Sequence, residues 1–336
     1  MSAQAVQGQA MLEVSGLKKY FPVMRGVFRK HVGDVKAVDD VSFTLGRKET
    51  LSLVGESGCG KTTAGRSVLR LIEPTAGRAL YRPPGSNDQV DLFSLSRGEM
   101  RAMRRDLQII FQDPFASLNP RMSVSAIIGE ALAVHGVAKG EELEDRVAGL
   151  LERVGLLGEA RNRFPHEFSG GQRQRIGIAR ALALNPAFIV CDEAVSALDV
   201  SIQAQIINLL KDLQQEFNLS YLFIAHDLSV VKYLSDRIAV MYLGRIVESG
   251  TVHDIFERAA HPYTRALLSS VPRPEPTRKR ERIVLKGDVP SPLNPPTGCH
   301  FRTRCPVAEA RCAEAYPEHI ALSSSHTAAC HLIEQP

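Results

Sequence analysis

The sequence predicts an α/β fold with a mainly parallel sheet, a helical segment inserted into the sheet, and a cysteine-bearing extension. Three observations indicate this. Short apolar segments alternate with helical segments over the first three-quarters of the 336 residues. Helical patterns without an intervening strand occupy about residues 113–183. Four of the six cysteines lie in the last forty or so residues.

The predicted core strands are short apolar runs, several of which end in glycine or in charged residues. They are "ETLSLVGES" (49–57), "LQIIF" (107–111), "AFIVCDE" (187–193) and "SYLFIAH" (220–226). Helical periodicity follows the first run in "GKTTAGRSVLRLI", and residues 201–217 form an amphipathic pattern. This alternation is typical of strand–helix–strand units.

Prolines become frequent after about residue 260, in "HPYTRALLSSVPRPEP" and "VPSPLNPPTG". We therefore predict a linker there, leading to the cysteines. The expected domains are residues 11–260, which include the helical subdomain at about 113–183, and the extension 261–336. The basic run 273–282 is interpreted as a solvated part of the linker and not as a nucleic-acid arm.

Composition narrows the class of protein. The chain is 44% hydrophobic with a net charge of +4, which does not by itself indicate a nucleic-acid partner. No apolar run is long enough to span a membrane, and the N-terminus lacks a signal-peptide pattern. We expect a cytosolic protein, in which disulfides are uncommon.

The segment "GESGCGKT" (55–62) fits the phosphate-loop pattern G-x-x-x-x-G-K-[ST] between a strand and a helix. Glycines let backbone N–H groups turn toward phosphate oxygens, and the helix N-terminus adds positive charge. Lys61 is expected to contact the β- and γ-phosphates and Thr62 to bind Mg²⁺. Cys59 is interpreted as a loop filler. The predicted nucleotide-binding residues here are Gly55, Ser57, Gly58, Cys59, Gly60, Lys61, Thr62 and Thr63.

Two further motifs bear on the same chemistry. Asp192 and Glu193 end an apolar strand, where Asp192 would hold Mg²⁺ and Glu193 would act as general base. "FSGGQ" opens a helix, so that Ser169, Gly170 and Gly171 form a second anion site. Two anion sites are explained if two chains face each other, each covering the nucleotide of the other.

This set of motifs resembles the ABC ATPase family, from about residue 11 to 260. The resemblance implies a P-loop NTPase (RecA-like) core with an inserted helical subdomain and an antiparallel β subdomain. It also implies the Q-loop, signature, D-loop and switch residues and the adenine-stacking aromatic, which are Gln112, Gln172, Asp199, His226 and Tyr20. Gln112 would link Mg²⁺ and water to the helical subdomain, and Phe21 is the alternative stacking residue. Many members have proline after the catalytic glutamate, whereas this chain has Ala194.

Other segments resemble the ATP-binding subunits of oligopeptide and dipeptide importers. They are "PVMRGVFRKHVGDVK", "FQDPFASLNPRMSV", "DEAVSALDVSIQAQIINLL" and "HPYTRALLSSVP". The resemblance implies ATP hydrolysis that powers peptide import, a second ATPase subunit, two permeases and a periplasmic or lipid-anchored binding protein. It places the chain on the cytoplasmic face of the inner membrane, without a nucleic-acid partner. The alternatives are a soluble ABC ATPase acting on nucleic acid or ribosomes, a metal-binding regulatory module with a vestigial ATPase, and an exporter.

The tail cysteines have the spacing C-x5-C-x6-C-x17-C, which matches neither common zinc ribbons nor the bacterial ferredoxin pattern. Spacing alone leaves zinc, an iron–sulfur cluster and free thiols open. The family resemblance implies a [4Fe–4S] cluster. Its ligands would be Cys299, Cys305, Cys312 and Cys330. A mixed zinc site that uses His300, His326 or His331 is the alternative.

Overall fold

The structure is a computed structural model, and it describes residues 10–26, 30–270 and 283–333. The basic run 273–282 lies outside these residues, so its interpretation as a linker stays a prediction.

The described residues form a mixed α/β architecture. The strands are β1 (Leu12–Arg25), β2 (Lys30–Leu45), β3 (Thr50–Val54), β4 (Ala76–Tyr81), β5 (Val90–Asp91), β6 (Leu107–Ile110), β7 (Phe188–Asp192), β8 (Ser220–Ala225), β9 (Arg237–Tyr242), β10 (Arg245–Thr251), β11 (His319–Ala321) and β12 (Thr327–Ala329). The helices are α1 (Lys61–Val68), α2 (Arg97–Met103), α3 (Val124–Val134), α4 (Gly140–Arg153), α5 (Gly170–Leu182), α6 (Val200–Phe217), α7 (Leu228–Leu234), α8 (Val252–Arg258) and α9 (Pro262–Ser269).

The chain divides into two compact units. The first consists of residues 1–12, 45–49 and 81–224, insofar as they are described. Its strands β6, β7 and β8 are parallel neighbours in that order. Every residue of β7 and β8 is buried, because a parallel strand in the middle of a sheet is covered on both faces. The predicted strands at 107–111, 187–193 and 220–226 are confirmed to within one or two residues at each end.

Residues 111–187 of this unit contain helices α3 to α5 and two short 3₁₀ turns, and no strand. The inserted helical segment is therefore confirmed. Helix α6 buries a stripe at helical spacing and ends where Asn218 adopts a left-handed conformation. The buried residues of that stripe are Ile206, Ile207, Leu210 and Leu213.

The second unit consists of residues 13–44, 50–80 and the described part of 225–336. One of its sheets has the order β11-β12-β10-β9-β3, in which β3 and β9 are parallel and the other pairs are antiparallel. Strands β2, β1 and β4 are neighbours in another sheet. The tail strand β12 pairs with β10 through Glu248 opposite Ala328 and Ser249 opposite Thr327.

The prediction that residues after 260 form a linker is wrong for its first part. Residues 262–269 form helix α9, which buries four of its eight residues. Pro262 occupies the first helical position, where its missing N–H and fixed φ are tolerated, and the side chain of His261 caps the helix. Proline therefore marks the start of a helix here, although we interpreted it as evidence for irregular chain.

Candidate functional site

The predicted phosphate loop lies between β3 and α1 in the second unit. Its glycines allow an unusually close approach of backbone to backbone. A Cβ on Gly55 would lie 2.1 Å from the carbonyl oxygen of Met241, and a Cβ on Gly60 would lie 2.0 Å from that of Ala37. Both have φ between +100° and +160°, a region that favours glycine. The loop shape therefore requires glycine at these two positions.

Lys61 is the first residue of α1, and its side chain is buried against the loop. Its Nζ donates to the carbonyl oxygens of Gly55 at 2.8 Å and Glu56 at 2.9 Å, and lies 3.7 Å from Sγ of Cys59. The ammonium group is thus enclosed by the loop, which is where a point charge for phosphate is needed.

The other predicted loop residues differ in exposure. Ser57 and Gly58 are exposed at the tip of the loop, whereas Thr62 and Thr63 are half-buried on the first turn of α1. Cys59 is 3% exposed, and its burial raises the pKa of the thiol, which keeps it protonated at neutral pH. This supports the interpretation of Cys59 as a filler of the loop.

Tyr20 is held by a polar network at β1 and β2. Its hydroxyl donates to Asp39, which also accepts two bonds from Arg245, at 2.9 and 2.7 Å. Burial and the bond to Asp39 raise the pKa of Tyr20. Burial alone would raise the pKa of Asp39, but the bonds from Tyr20 and Arg245 lower it. The ring of Phe21 is 38% exposed and is covered by the ammonium of Lys19 at 4.8 Å.

The predicted carboxylates end β7 in the first unit. Asp192 is fully buried, and Glu193 has φ +48°, a strained value for a residue other than glycine. The N–H of Glu193 donates to the carbonyl of Ile224 at 3.0 Å, and its own carbonyl accepts from Ser196 at 3.1 and 2.9 Å. Nε2 of Gln112 donates to Oε2 of Glu193 at 2.9 Å. The structure therefore brings Gln112 and Glu193 together.

The "FSGGQ" segment begins α5, a helix of 13 residues in the first unit. The hydroxyl of Ser169 accepts from the N–H of Gln172 at 3.3 Å, and the side chain of Gln172 accepts from the N–H of Ser169 at 3.0 Å. This capping box fixes the helix start. A Cβ on Gly171 would lie 2.6 Å from a side-chain methyl of Ile202 in α6, so a larger residue there would displace that side chain.

Asp199 and His226 are exposed residues that flank regular elements. Asp199 directly precedes α6, and its side chain makes no capping bond to that helix. His226 directly follows β8, before Asp227, whose carboxylate caps α7 by accepting from the N–H of Ser229 at 2.8 Å.

The four tail cysteines lie near one another in the second unit, and none of them forms a disulfide. The backbone N–H of Cys299 donates to the carbonyl of Cys312 at 2.8 Å. The pKa of Cys299 is raised to about 11, mainly by burial and in smaller part by the charges of the other three cysteines. Burial and neighbouring thiolates likewise raise the pKa of Cys305 and Cys330.

The structure nevertheless does not support the predicted metal site. Within residues 10–26, 30–270 and 283–333, no three His, Cys, Asp or Glu side chains are arranged to hold a metal ion. Each histidine of the zinc alternative has one ring nitrogen engaged elsewhere: His300 with the carbonyl of Leu243, His326 with Glu248, and His331 with the carbonyl of Ala315. The four cysteines lie near one another, but the described residues provide no support for either the cluster or the zinc ion.

Comparison with known proteins identifies the family. Residues 38–196 match the ABC transporter family, and residues 247–312 match the oligopeptide/dipeptide transporter C-terminal region. The oligopeptide transport ATP-binding protein AppF of Bacillus subtilis (strain 168) is 55% identical over 331 residues, which is 98% of this chain and 99% of that protein. The chain belongs to the ABC transporter family.

A second relative and a solved structure support the same family. A putative peptide import ATP-binding protein of Brucella ovis is 53% identical over 95% of this chain and 97% of its own length. A dimeric ATP-binding cassette in a post-hydrolysis state, bound to ADP and Pi, has a TM-score of 0.61. It is 28% identical and covers 72% of this chain and 99% of its own. The predicted P-loop NTPase fold is thereby confirmed.

As an ABC ATPase, the protein is an ATP-hydrolysing enzyme. The comparisons support the transport branch of the family and not the alternative that acts on nucleic acid or ribosomes. In the described part of this ABC protein, no helix is both long and apolar enough to cross a membrane.

Sequence reasoning missed several residues that shape the site. Asp39 and Arg245 fix the hydroxyl of Tyr20, and Arg304 pairs with Glu56 of the phosphate loop. No spacing pattern relates Arg304 to Glu56, which are 248 residues apart. Glu56 lies inside the loop motif, and a negative charge beside a predicted phosphate site indicates that a positive side chain must lie nearby.

Proposed function

We propose that this ABC ATPase binds and hydrolyses ATP to power the import of peptides across a bacterial inner membrane. The observation that carries the proposal is the extent of the similarity. Identity of 55% to an oligopeptide transport ATP-binding protein runs over 98% of the chain, and the match to the oligopeptide/dipeptide transporter region includes three of the four tail cysteines.

The phosphate loop is proposed to bind the triphosphate of ATP. Gly55 and Gly60 let the backbone turn its N–H groups inward, and Lys61 supplies a positive charge. Ser57, Gly58, Cys59 and Thr63 belong to the same loop and helix start. The shape observed here supports this role because the loop packs so closely against the backbone of Met241 and Ala37 that glycine is needed at both positions.

Mg²⁺ is the cofactor that the family implies, and it neutralises phosphate charge when it is bound with ATP. Its proposed ligands, directly or through water, are Thr62, Gln112 and Asp192. Their hydroxyl, amide and carboxylate oxygens are the hard donors that Mg²⁺ prefers. The amide nitrogen of Gln112 is engaged with Glu193, which leaves its oxygen to face a cation. The donor set therefore fits this ion.

Glu193 is proposed as the general base that takes a proton from the attacking water. Support comes from its held, left-handed backbone and from its bond to Gln112. His226 is proposed to contact the γ-phosphate. Tyr20 is the proposed adenine-stacking residue, because the bond to Asp39 holds its ring in one position.

The helix start at Ser169, Gly170, Gly171 and Gln172 is proposed to cover the nucleotide bound by a second ATPase subunit. Ser169 and Gln172 are exposed, Gly170 and Gly171 are half-buried, and a helix N-terminus attracts phosphate. Asp199, also exposed, would reach across the same dimer. The family implies such pairing of cassettes.

Two permeases and a periplasmic or lipid-anchored binding protein are the proposed further partners, with the ATPase on the cytoplasmic face of the membrane. "DPFASLNPR" (113–121) is the proposed permease contact. Phe115 in this segment is 64% exposed, and the guanidinium of Arg173 stacks 3.7 Å from its ring centre. The exposed aromatic side chain is thus presented on an ordered support.

The transport assignment is tested in proteoliposomes that contain the ATPase, its permeases and its binding protein. We expect uptake of labelled peptide that requires Mg-ATP and a peptide-loaded binding protein. The matched control contains Lys61→Met, which should abolish uptake. Robust ATP hydrolysis without uptake of any peptide in a varied library would overturn the peptide assignment and leave the ATPase assignment intact.

The [4Fe–4S] cluster remains a proposal that rests on the family resemblance. The proximity of four cysteines free of disulfides is consistent with it, although no three ligating side chains among the described residues are arranged to hold a metal ion. Anaerobically purified protein should contain about four iron and four sulfide per chain, with broad visible absorption. Zinc without iron would favour the mixed site instead, and absence of both metals would favour plain thiols.

A further inference from the structure

One ion pair joins the cysteine-bearing tail directly to the phosphate loop. Nη1 of Arg304 lies 2.7 Å from Oε2 of Glu56, and Nη2 lies 3.1 Å from Oε1. The two side chains are 8% and 26% exposed. A bidentate arginine–carboxylate pair with this burial is directional and only partly screened by solvent.

Glu56 is tied to its surroundings at three points. Its backbone N–H donates to the hydroxyl of Tyr263 at 2.9 Å, and its carbonyl accepts from Nζ of Lys61 at 2.9 Å. Its side chain accepts from Arg304. The backbone of Glu56 therefore contacts the ammonium group of Lys61, while its side chain is fixed by Arg304. A movement of that side chain would shift the backbone carbonyl that binds Lys61.

Arg304 is itself held on a rigid support. Phe301, three residues earlier, packs against the rings of Tyr242 and Tyr263, with ring centres 5.2 and 5.3 Å apart. The backbone N–H of Arg304 donates to the carbonyl of Phe301 at 3.0 Å. This turn presents the guanidinium to the loop in a fixed direction, as a positioning residue requires.

We propose that Arg304 is a positioning residue of the nucleotide site. It holds the carboxylate of Glu56 in place and neutralises its charge, so that the loop keeps the shape and the positive potential that a triphosphate needs. This inference rests on the proposed role of the phosphate loop. It makes the tail, through one side chain, part of the machinery that binds ATP.

Removal of Arg304 is expected to weaken ATP binding because it changes the charge of the loop. Without Arg304, an uncompensated carboxylate stands in the loop that receives an anion, and like charges repel at this range. The affinity for ATP should fall, whereas the chemical step should change little, because Arg304 does not touch the reacting atoms. The effect should therefore appear in KM and Kd more than in kcat.

The test compares Arg304→Met with Arg302→Met in the purified full-length chain. Arg302 lies in the same turn, and its guanidinium donates to the carbonyl and the hydroxyl of Thr297, so its replacement removes the same charge without removing a bond to the loop. Binding of a fluorescent ATP analogue with Mg²⁺ gives Kd, and steady-state hydrolysis gives KM and kcat. We expect Kd to rise about five- to tenfold for Arg304→Met and less than about twofold for Arg302→Met.

A double variant separates positioning from folding. Glu56→Gln combined with Arg304→Met removes both charges, and we expect it to recover most of the lost affinity. If Arg304→Met only unfolds the tail, the double variant will bind as poorly as the single one, and the proposal is overturned. Equal Kd values for Arg304→Met and Arg302→Met overturn it as well.

The same titration tells apart a failure of this inference and a failure of the proposed nucleotide site. Wild-type protein must bind the analogue, and Lys61→Met must abolish that binding. If wild type and Lys61→Met bind equally, the loop is not the nucleotide site, and the proposed function fails. If they differ while Arg304→Met matches wild type, only the role of Arg304 fails.

Discussion

The phosphate loop and the cysteine group lie in the same unit of the molecule, yet they relate differently to sequence. The loop occupies consecutive residues, and its shape depends on glycines that the sequence pattern itself identifies. The cysteine group depends on side chains that converge from residues 299 to 330. A motif built from local backbone is thus predicted with its geometry, whereas a motif built from distant side chains is predicted only as a list of residues.

The importance of the phosphate loop is tested first by Lys61→Met, for which we expect the largest loss of ATP hydrolysis. The variant keeps most of the length of the side chain but removes the charge that is proposed to face phosphate. ATP hydrolysis should fall by about 10² or more, as when one preorganised charge-stabilising group is removed. Steady-state phosphate release measures this, with the exposed Lys139→Met as the control. Turnover within tenfold of wild type would contradict the proposed role.

The loop geometry is tested by two glycine replacements within the same loop. Gly60→Ala places a Cβ 2.0 Å from a carbonyl oxygen, whereas a Cβ on Gly58 meets open space. Both positions have positive φ, which costs alanine about 1 kcal/mol. Nucleotide affinity should therefore drop at least about tenfold more for Gly60→Ala than for Gly58→Ala. Equal affinities would show that the close backbone contact does not shape the loop.

The adenine contact is tested by Tyr20→Leu and Phe21→Leu. Neighbouring residues of a strand point to opposite faces, so only one of these rings can stack on the base. We expect Tyr20→Leu to weaken ATP binding about tenfold, within the range of base–aromatic stacking. Fluorescence titration decides between the two residues. A loss confined to Phe21→Leu would reassign the stacking residue.

The attachment of the tail is tested by Glu248→Gln, for which we expect the smallest effect on nucleotide affinity and a clear effect on stability. Glu248 is fully buried and bonded to His326 at 2.8 Å and to the N–H groups of Ala260 and His261 at 2.7 and 3.0 Å. Breaking such a buried pair lowers the free energy of unfolding by about 3 kcal/mol. Urea titration at pH 7 measures the loss.

The stability that Glu248 contributes is expected to depend on pH. Burial alone would raise the pKa of Glu248, but its bonds to His326, Ala260 and His261 outweigh burial and lower it. A lowered pKa gives stability that is present above the unfolded-state value, about 4.3, and is lost as pH falls toward the folded-state value. The stability difference between wild type and Glu248→Gln should shrink below about pH 4. A difference that does not change with pH would contradict this explanation.

How much of the molecule could be predicted from sequence depends on the range of the determining contacts. Strands β7 and β8 and helix α6 follow from local apolar patterns, and the structure has them nearly where we expected. Helix α9 was missed because its proline was interpreted as irregular chain, although the preceding His261 could have indicated a cap. The bond from Gln112 to Glu193 joins residues 81 apart, and only the family resemblance placed them in one site.

The structure of the tail could not be predicted from local sequence patterns. The pairing of β12 with β10 and the bond from Arg304 to Glu56 depend on how the chain returns to the loop, and no local pattern encodes that. The metal prediction came from residue type and resemblance, and the observed side-chain arrangement does not reproduce it.

The central claim is that this chain hydrolyses ATP with Glu193 as the base. The most direct measurement compares ATP binding and steady-state hydrolysis of wild type and Glu193→Gln, with Glu216→Gln on the exposed face of α6 as the control. We predict that Glu193→Gln binds ATP as wild type does, accumulates closed dimers, and hydrolyses ATP about 10²- to 10³-fold more slowly. Normal steady-state turnover by Glu193→Gln would contradict the claim.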